Sequence, residues 1–280
     1  MNWLTSNKIP IGRAGADAID WLIGNFLWVF DAISAGLSSI IAGILFILER
    51  PHPLLVVAAF AGLAFALRRR VAAALGTAAG LLLIINLGYW QETIQTLALV
   101  VAASFVCMAI GVPLGILAAR RDWLYAWMRP VLDLMQTIPT FVYLIPALIL
   151  FGLGTVPGLV ATVIFALPAS IRLTRLGIAS TPRQLLEAGD SFGATRLQRL
   201  FAIEVPHALP QIMAGLTQTI MLSLSMVVIA ALVGAPGLGV PVLRALNTVN
   251  IAQGLEAGLA IVILAIILDR FFRIDEEARR

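Results

Sequence analysis

TPRQLLEAGDSFGATRLQRLFAIEVPHALP, residues 181–210, stands between two of the most apolar runs of the chain. It is polar, carries arginines and is tightly punctuated. Thr181-Pro182-Arg183-Gln184 has the form of a capping box with proline at the first helical position. Thr195-Arg196-Leu197-Gln198 has the form of a second. Gly193 falls between them, where a helix end can use a left-handed residue, and Pro206 is placed to stop the second helix. The pattern predicts two short helices with a corner between them. A helix of about nine residues is about 13 Å long, against a hydrocarbon layer of about 30 Å. Neither can span, and five arginines from Arg172 to Arg199 hold the segment on the basic side of a membrane.

Outside that segment the composition is that of a polytopic membrane protein. Of 280 residues, 60% are hydrophobic and 12% charged, where a soluble domain has about 25% charged. The net charge of +4 then reflects the positive-inside bias rather than nucleic-acid binding. Lys8 is the only lysine, so no Gly-Lys-Ser/Thr phosphate loop can be built. The two histidines, His52 and His207, are far apart, and Cys107 is the only cysteine, which leaves no metal-ligand or nucleophile–base set. The chain is therefore expected to catalyse nothing and to hold no cofactor or metal. If ATP drives it, another chain binds the ATP and its Mg²⁺.

Apolar runs at 52–67, 71–89, 94–119, 131–153, 156–171, 211–234 and 251–269 read as seven spans. Gly154-Thr155 leaves room only for a hairpin between two of them. Ahead of these, Ile19, Leu22, Phe26, Phe30, Ile33, Leu37, Ile40, Ile44 and Leu48 recur at steps of three and four. They form an amphipathic helical stripe. It either lies along the membrane surface, the expected placement, or crosses it through residues 32–48. Setting 68–70, 120–130, 172–210 and the C-terminus in the cytoplasm puts fifteen basic residues inside. Seven spans then place the N-terminus outside, and eight place it inside.

The central segment resembles the EAA loop of ABC importer permeases, in which EAA is followed by three residues, Gly, nine residues and Ile-x-Leu-Pro. Glu187, Ala188, Gly193, Ile203 and Pro206 match in identity and spacing, with Gly189 at the third Ala and Val205 at the Leu. In that family the loop is the coupling helix that docks into a groove of the ATPase subunit, and the resemblance implies that role for these five residues. LDLMQTIPTFVYLIPALILFGLG, PGLVATVIFALPASIRLT, QTIMLSLSMVVIAALVGAPGLG and EAGLAIVILAIILDR resemble permeases that import glycine betaine, choline and proline betaine. The resemblance covers roughly residues 90 to 270.

It implies an all-α type I ABC importer transmembrane domain with about seven transmembrane helices, in a bacterial cytoplasmic membrane. Residues 1–50 would be a tail with an amphipathic helix and 51–90 two accessory helices. Residues 91–270 would be the core with its coupling loop at 181–206, and 271–280 a cytoplasmic tail. Partners would be an ABC ATPase, an external substrate-binding protein, a second copy of the chain and lipid. Choline is the first expected substrate, glycine betaine or proline betaine the second. An ion-coupled secondary carrier is the competing class, and Glu256 is the one ionisable residue that suits it.

Met135, Gln136, Thr137 and Phe141 on one span, with Ser223 and Met226 on another and Glu256 on a third, are the candidates for a translocation path. Polar groups at membrane depth face protein or water, and interhelical hydrogen bonding is the bland alternative. Pro113, Pro139, Pro146 and Pro168 read equally as hinges or as static kinks. GAPGLG, residues 234–239, reads as a structural turn, and Asp133 as a boundary partner of Arg129.

Overall fold

The computed structural model describes residues 11–272, which form helices and short connections without a strand. In chain order these are α1 (Ile11–Glu49), α2 (Pro53–Arg68), α3 (Val71–Asn86), α4 (Trp90–Arg120), α5 (Asp122–Thr137), α6 (Thr140–Phe151) and α7 (Thr155–Ala179). Then come α8 (Arg183–Ser191), α9 (Arg196–Arg199), a π-helical turn (Leu200–Glu204), α10 (Val205–Ala231), α11 (Gly239–Thr248) and α12 (Ile251–Phe272). Among the described residues five helices are long and apolar enough to cross a membrane, or six if the bent pair α5–α6 is one span. α2 and α3 are apolar but have only 16 residues each, about 24 Å of helix.

The centre of the bundle is α4 against α7 and α7 against α10, and small residues are what let them approach. A Cβ on Gly111 would lie 2.0 Å from Ser170 Oγ, and one on Gly115 2.7 Å from Thr174 Cβ. On the other face of α7, a Cβ on Gly177 would lie 2.9 Å from Ala208 Cβ. Lipid tails are as apolar as leucine, so helices in a bilayer associate through such close backbone packing. Hydroxyls in this interior turn back on their own helices: Thr162 donates to the Gly158 carbonyl, Thr219 to Gly215 and Ser223 to Thr219. Ser170 donates both to its own helix at Leu167 and across to Cys107.

α1 carries a kink at Phe26 (φ −128°, ψ 18°). Beyond it the apolar stripe is used inside the bundle. Leu37, Ile40, Ile41, Ile44 and Leu45 pack on Ala98, Leu99, Ala102 and Ala103 of α4 and on Leu159 of α7. The stretch Gly15–Glu49 has the length and hydropathy of a span. The helical stripe expected from the sequence is thus present, and its later part lies along the core helices.

Two expectations are corrected. Residues 131–153 are not one straight span: α5 and α6 meet at 97° across Ile138-Pro139. Proline has no N–H to give the carbonyl four residues back, and that carbonyl, of Met135, instead accepts from the Tyr143 hydroxyl at 2.6 Å. Pro113, Pro146 and Pro168 stay inside continuous helices. Nor does Pro206 stop a helix. The chain passes through it into α10, because the preceding turn is wound as a π-helix, with the Val205 N–H donating to Leu200 five residues back. That wider turn takes up the register that a proline would otherwise break.

The glycine-rich stretch 234–239 is a structural turn. Gly234 and Gly237 have positive φ, the Gly154 N–H donates to Val233 at 2.9 Å, and the Leu238 N–H donates to Thr96 Oγ1 at 2.8 Å.

Candidate functional site

The coupling segment is a corner that protrudes from the end of α7. α8 begins at Arg183 with Pro182 at the N-cap, and Thr181 does not cap it: its hydroxyl donates back to Ile178 at 2.9 Å, so the first expected capping box does not form. At the other end of α8 the Gly193 N–H donates to Asp190 and the Ala194 N–H to Gly189, with Gly193 at φ +73°. That is the left-handed residue and the six-residue closure of a Schellman ending. The second box forms as expected. The Thr195 N–H donates to Gln198 Oε1 at 2.8 Å, and the Gln198 N–H donates to Thr195 Oγ1 at 3.3 Å.

Glu187, Ala188, Gly193 and Pro206 are exposed, whereas Ile203 is half-buried. Ile203 reaches Gly189: a Cβ there would lie 2.6 Å from Ile203 Cδ1. The glycine that stands where the loop pattern has alanine therefore receives the motif's own isoleucine. Around the corner, Leu185, Leu197 and Phe201 are exposed apolar side chains, and Phe192 at the tip is 92% exposed. Burying a phenylalanine fully is worth about 1.5–3 kcal/mol, so this is a surface that gains by being covered.

Behind the corner lies an ionic network. Glu204 is buried, and its carboxylate accepts from Arg120 Nη2 at 3.2 Å on both oxygens and from Arg199 Nε at 3.3 Å. Arg199 Nη1 also donates to both oxygens of Asp190 at 2.9 Å. At the bend, Arg172 donates to Asp133 at 2.5 Å and to Gln136 at 3.3 Å, while Arg129 stands 3.9 Å from Asp133. Asp133 thus has α7's Arg172 as its close partner, and the expected Arg129 pair is the longer one. Arg175 lies over the Tyr125 ring at 3.7 Å and 3.6 Å from Asp122.

The residues matched by the profile of the "Binding-protein-dependent transport system inner membrane component" family are 111–276, more than half of the chain. The chain belongs to that family. Among curated relatives, the permease is 47% identical over 263 residues to the glycine betaine transport system permease protein OpuAB of Bacillus subtilis (strain 168). That match covers 94% of this chain and 93% of the relative. It is 44% identical to the glycine betaine/proline betaine transport system permease protein ProW of Escherichia coli (strain K12), over 94% of this chain and 74% of the relative. A chain of the inward-facing MetNI methionine ABC transporter superposes with a TM-score of 0.59 at 24% identity, over 65% of this chain and 94% of that one. The architecture is that of a type I ABC importer transmembrane domain, and the relatives are transport subunits rather than enzymes.

The candidate path residues of the permease fall into three groups. Met135 and Gln136 are half-buried at the inner side of the bend, and Thr137 and Phe141 are exposed on either side of Pro139. Ser223 and Met226 have 0% and 1% exposure. Met226 packs with Tyr143, Leu144, Ala161 and Val233, so in this conformation these two side chains meet protein and not open space. Glu256 is exposed near the start of α12.

The sequence reading did not find Arg120, Asp190, Arg199 or Glu204. Arg199 and Glu204 are five apart, which puts them on different faces of an α-helix. Only the π turn makes that spacing a neighbour pair. Tyr143 was also missed, although a tyrosine four residues after a proline in an apolar run is a visible candidate to serve the freed carbonyl.

Proposed function

We propose that the permease is the membrane-spanning subunit of an ATP-driven importer for a quaternary ammonium osmolyte. Glycine betaine comes first, proline betaine and choline after it. The sequence alone put choline first; glycine betaine in the names of the relatives supports placing it ahead. Two copies form the path, a binding protein delivers substrate from outside, and a separate ATPase binds ATP and Mg²⁺. The observation that carries the reading is the protruding corner at 181–206, whose matched motif residues are mostly exposed and whose tip is Phe192. Docking of that corner on the ATPase would let nucleotide-driven closure bias the permease between two conformations, since a two-state gate moves only as far as differential binding takes it. The coupling corner and the C-terminus lie in the cytoplasm. An ion-coupled carrier draws no support from the family or the relatives.

The test is reconstitution. Proteoliposomes with permease, ATPase and binding protein should accumulate glycine betaine when ATP is supplied, and omission of the ATPase should abolish accumulation. Concentrative uptake by the permease alone would overturn the reading.

A further inference from the structure

We infer that Glu204 and Arg120 are positioning residues that make the coupling corner and α4 move as one body. This rests on the reading of residues 181–206 as the segment that meets an ATPase.

The corner has few attachments of its own. Gly189 is the only buried residue of α8 and none of α9 is buried. A force applied at Phe192 or Glu187 would therefore rotate the corner on its stem unless something behind it holds. Beside the apolar packing of Leu200 against Ile178, Ala208 and Ile212, what holds it is one carboxylate. Glu204 is in the π turn that joins α9 to α10, and its side chain is 7% exposed. It accepts from Arg120, at the last turn of α4, and from Arg199, in α9. Arg199 passes the link to Asp190 of α8 at 2.9 Å. Arg120 Nη2 also reaches the Arg196 carbonyl at 3.4 Å. Four charged side chains, two of each sign, thus tie α8, α9 and the start of α10 to the inner end of α4. A buried carboxylate with two cations is costly to part, because either half would be left uncompensated. The π turn is what aims Glu204 at Arg199, and such turns recur at functional positions.

The consequence is directional. α4 packs through Gly111 and Gly115 on α7. A displacement of the corner is then handed to α4, and from α4 to α7, rather than being lost in bending of the connection.

Arg120 uses one nitrogen for both oxygens of Glu204, so a lysine ammonium can supply both the donor and the charge, whereas glutamine supplies a donor without the charge. The complex of permease, ATPase and binding protein is reconstituted with Arg120→Gln, Arg120→Lys and Glu204→Gln, and glycine betaine imported per ATP hydrolysed is measured beside ATPase co-purification. Arg120→Gln leaves Glu204 paired with Arg199 and is the variant least exposed to misfolding. We expect normal co-purification for Arg120→Gln and a fall in uptake per ATP of about two- to thirtyfold, the range for residues that carry coupling between sites. Arg120→Lys should keep at least half of the coupling, and Glu204→Gln should fall with Arg120→Gln. Wild-type uptake per ATP in Arg120→Gln would overturn the proposal, as would equal losses in Arg120→Lys and Arg120→Gln, the mark of packing without charge. If the ATPase does not co-purify with the wild-type chain, the reading of the corner as a docking element fails instead.

Discussion

Gly193 is at φ +73°, and nothing lies within 4 Å of the Cβ it lacks. A substitution there meets no neighbour, so its cost is purely conformational, about 1 kcal/mol or more for a side chain forced into the left-handed region. A β-branched residue suffers most, because that region makes it a true outlier. Gly193→Val should therefore turn α9 away from α8, while insertion in the membrane stays normal. The expected result is reduced ATPase recovery together with reduced glycine betaine uptake. Wild-type values for both would make residues 181–206 an ordinary connector. Phe192 permits a complementary test, since at 92% exposure it supports nothing inside the permease. Phe192→Ser should leave thermal stability unchanged. It should weaken ATPase affinity by about ten- to a hundredfold, the equivalent of about 1.5–3 kcal/mol of apolar burial. Titration of detergent-solubilised permease with the ATPase reads this directly. Gly193 was legible in the sequence because turn chemistry is local. Phe192 was not singled out, because an apolar residue in an apolar chain carries no signal until its surroundings are known.

At the scale of the element, the bend between α5 and α6 is the feature most open to test. The Tyr143 hydroxyl serves the carbonyl freed by Pro139 at 2.6 Å. Removing that donor by Tyr143→Phe leaves the carbonyl short of a partner at a site where the ring itself is buried. A loss of about 1–3 kcal/mol is expected for an unsatisfied buried acceptor, read as a lowered unfolding midpoint in detergent. An unchanged midpoint would mean that the bend is held by packing alone. The four prolines were plain in the sequence, but not which of them breaks a helix. Pro113, Pro146 and Pro168 sit in helices that neighbouring helices keep continuous, and only Pro139 coincides with a change of direction. The same lesson holds in reverse for Pro206. It is a stop signal by residue type, yet the π turn ahead of it lets α10 continue.

For the whole molecule, stability is concentrated where α4, α7 and α10 touch through glycine. Gly115→Leu would drive a side chain into Thr174, whose Cβ already lies 2.7 Å from the missing Cβ, with the Ile171 carbonyl at 2.8 Å. Overpacking of this kind costs about 1–3 kcal/mol, and more where backbone must shift. The variant should show a lowered unfolding midpoint and poor recovery of monodisperse protein, whereas the same change at Gly62, which has open space around it, should not. The proposed topology is also a property of the whole chain. Cys107 is fully buried, so single cysteines can be placed on the native background. Thr248→Cys should react with an impermeant thiol reagent on intact cells and Ala194→Cys should not. The opposite pattern would invert the molecule.

Helix-forming runs, their alternation with arginine clusters, the short capped corner and the motif at 187–206 were all determined by sequence, because each depends on residues within a few turns of one another. Membership of a permease family follows from the same local pattern extended along the chain. Tertiary structure alone decided that residues 131–153 turn through 97°, that Ser223 and Met226 face protein, and that the later half of α1 packs on α4. It also decided that Glu204 binds an arginine 84 residues away. Hydropathy in a membrane chain is saturated: nearly every position in a span is apolar, so the pattern cannot tell a lipid-facing side chain from a buried one. Partners across the bundle are chosen by where glycine lets two backbones meet, and that is a property of pairs of helices, which no single stretch of sequence contains.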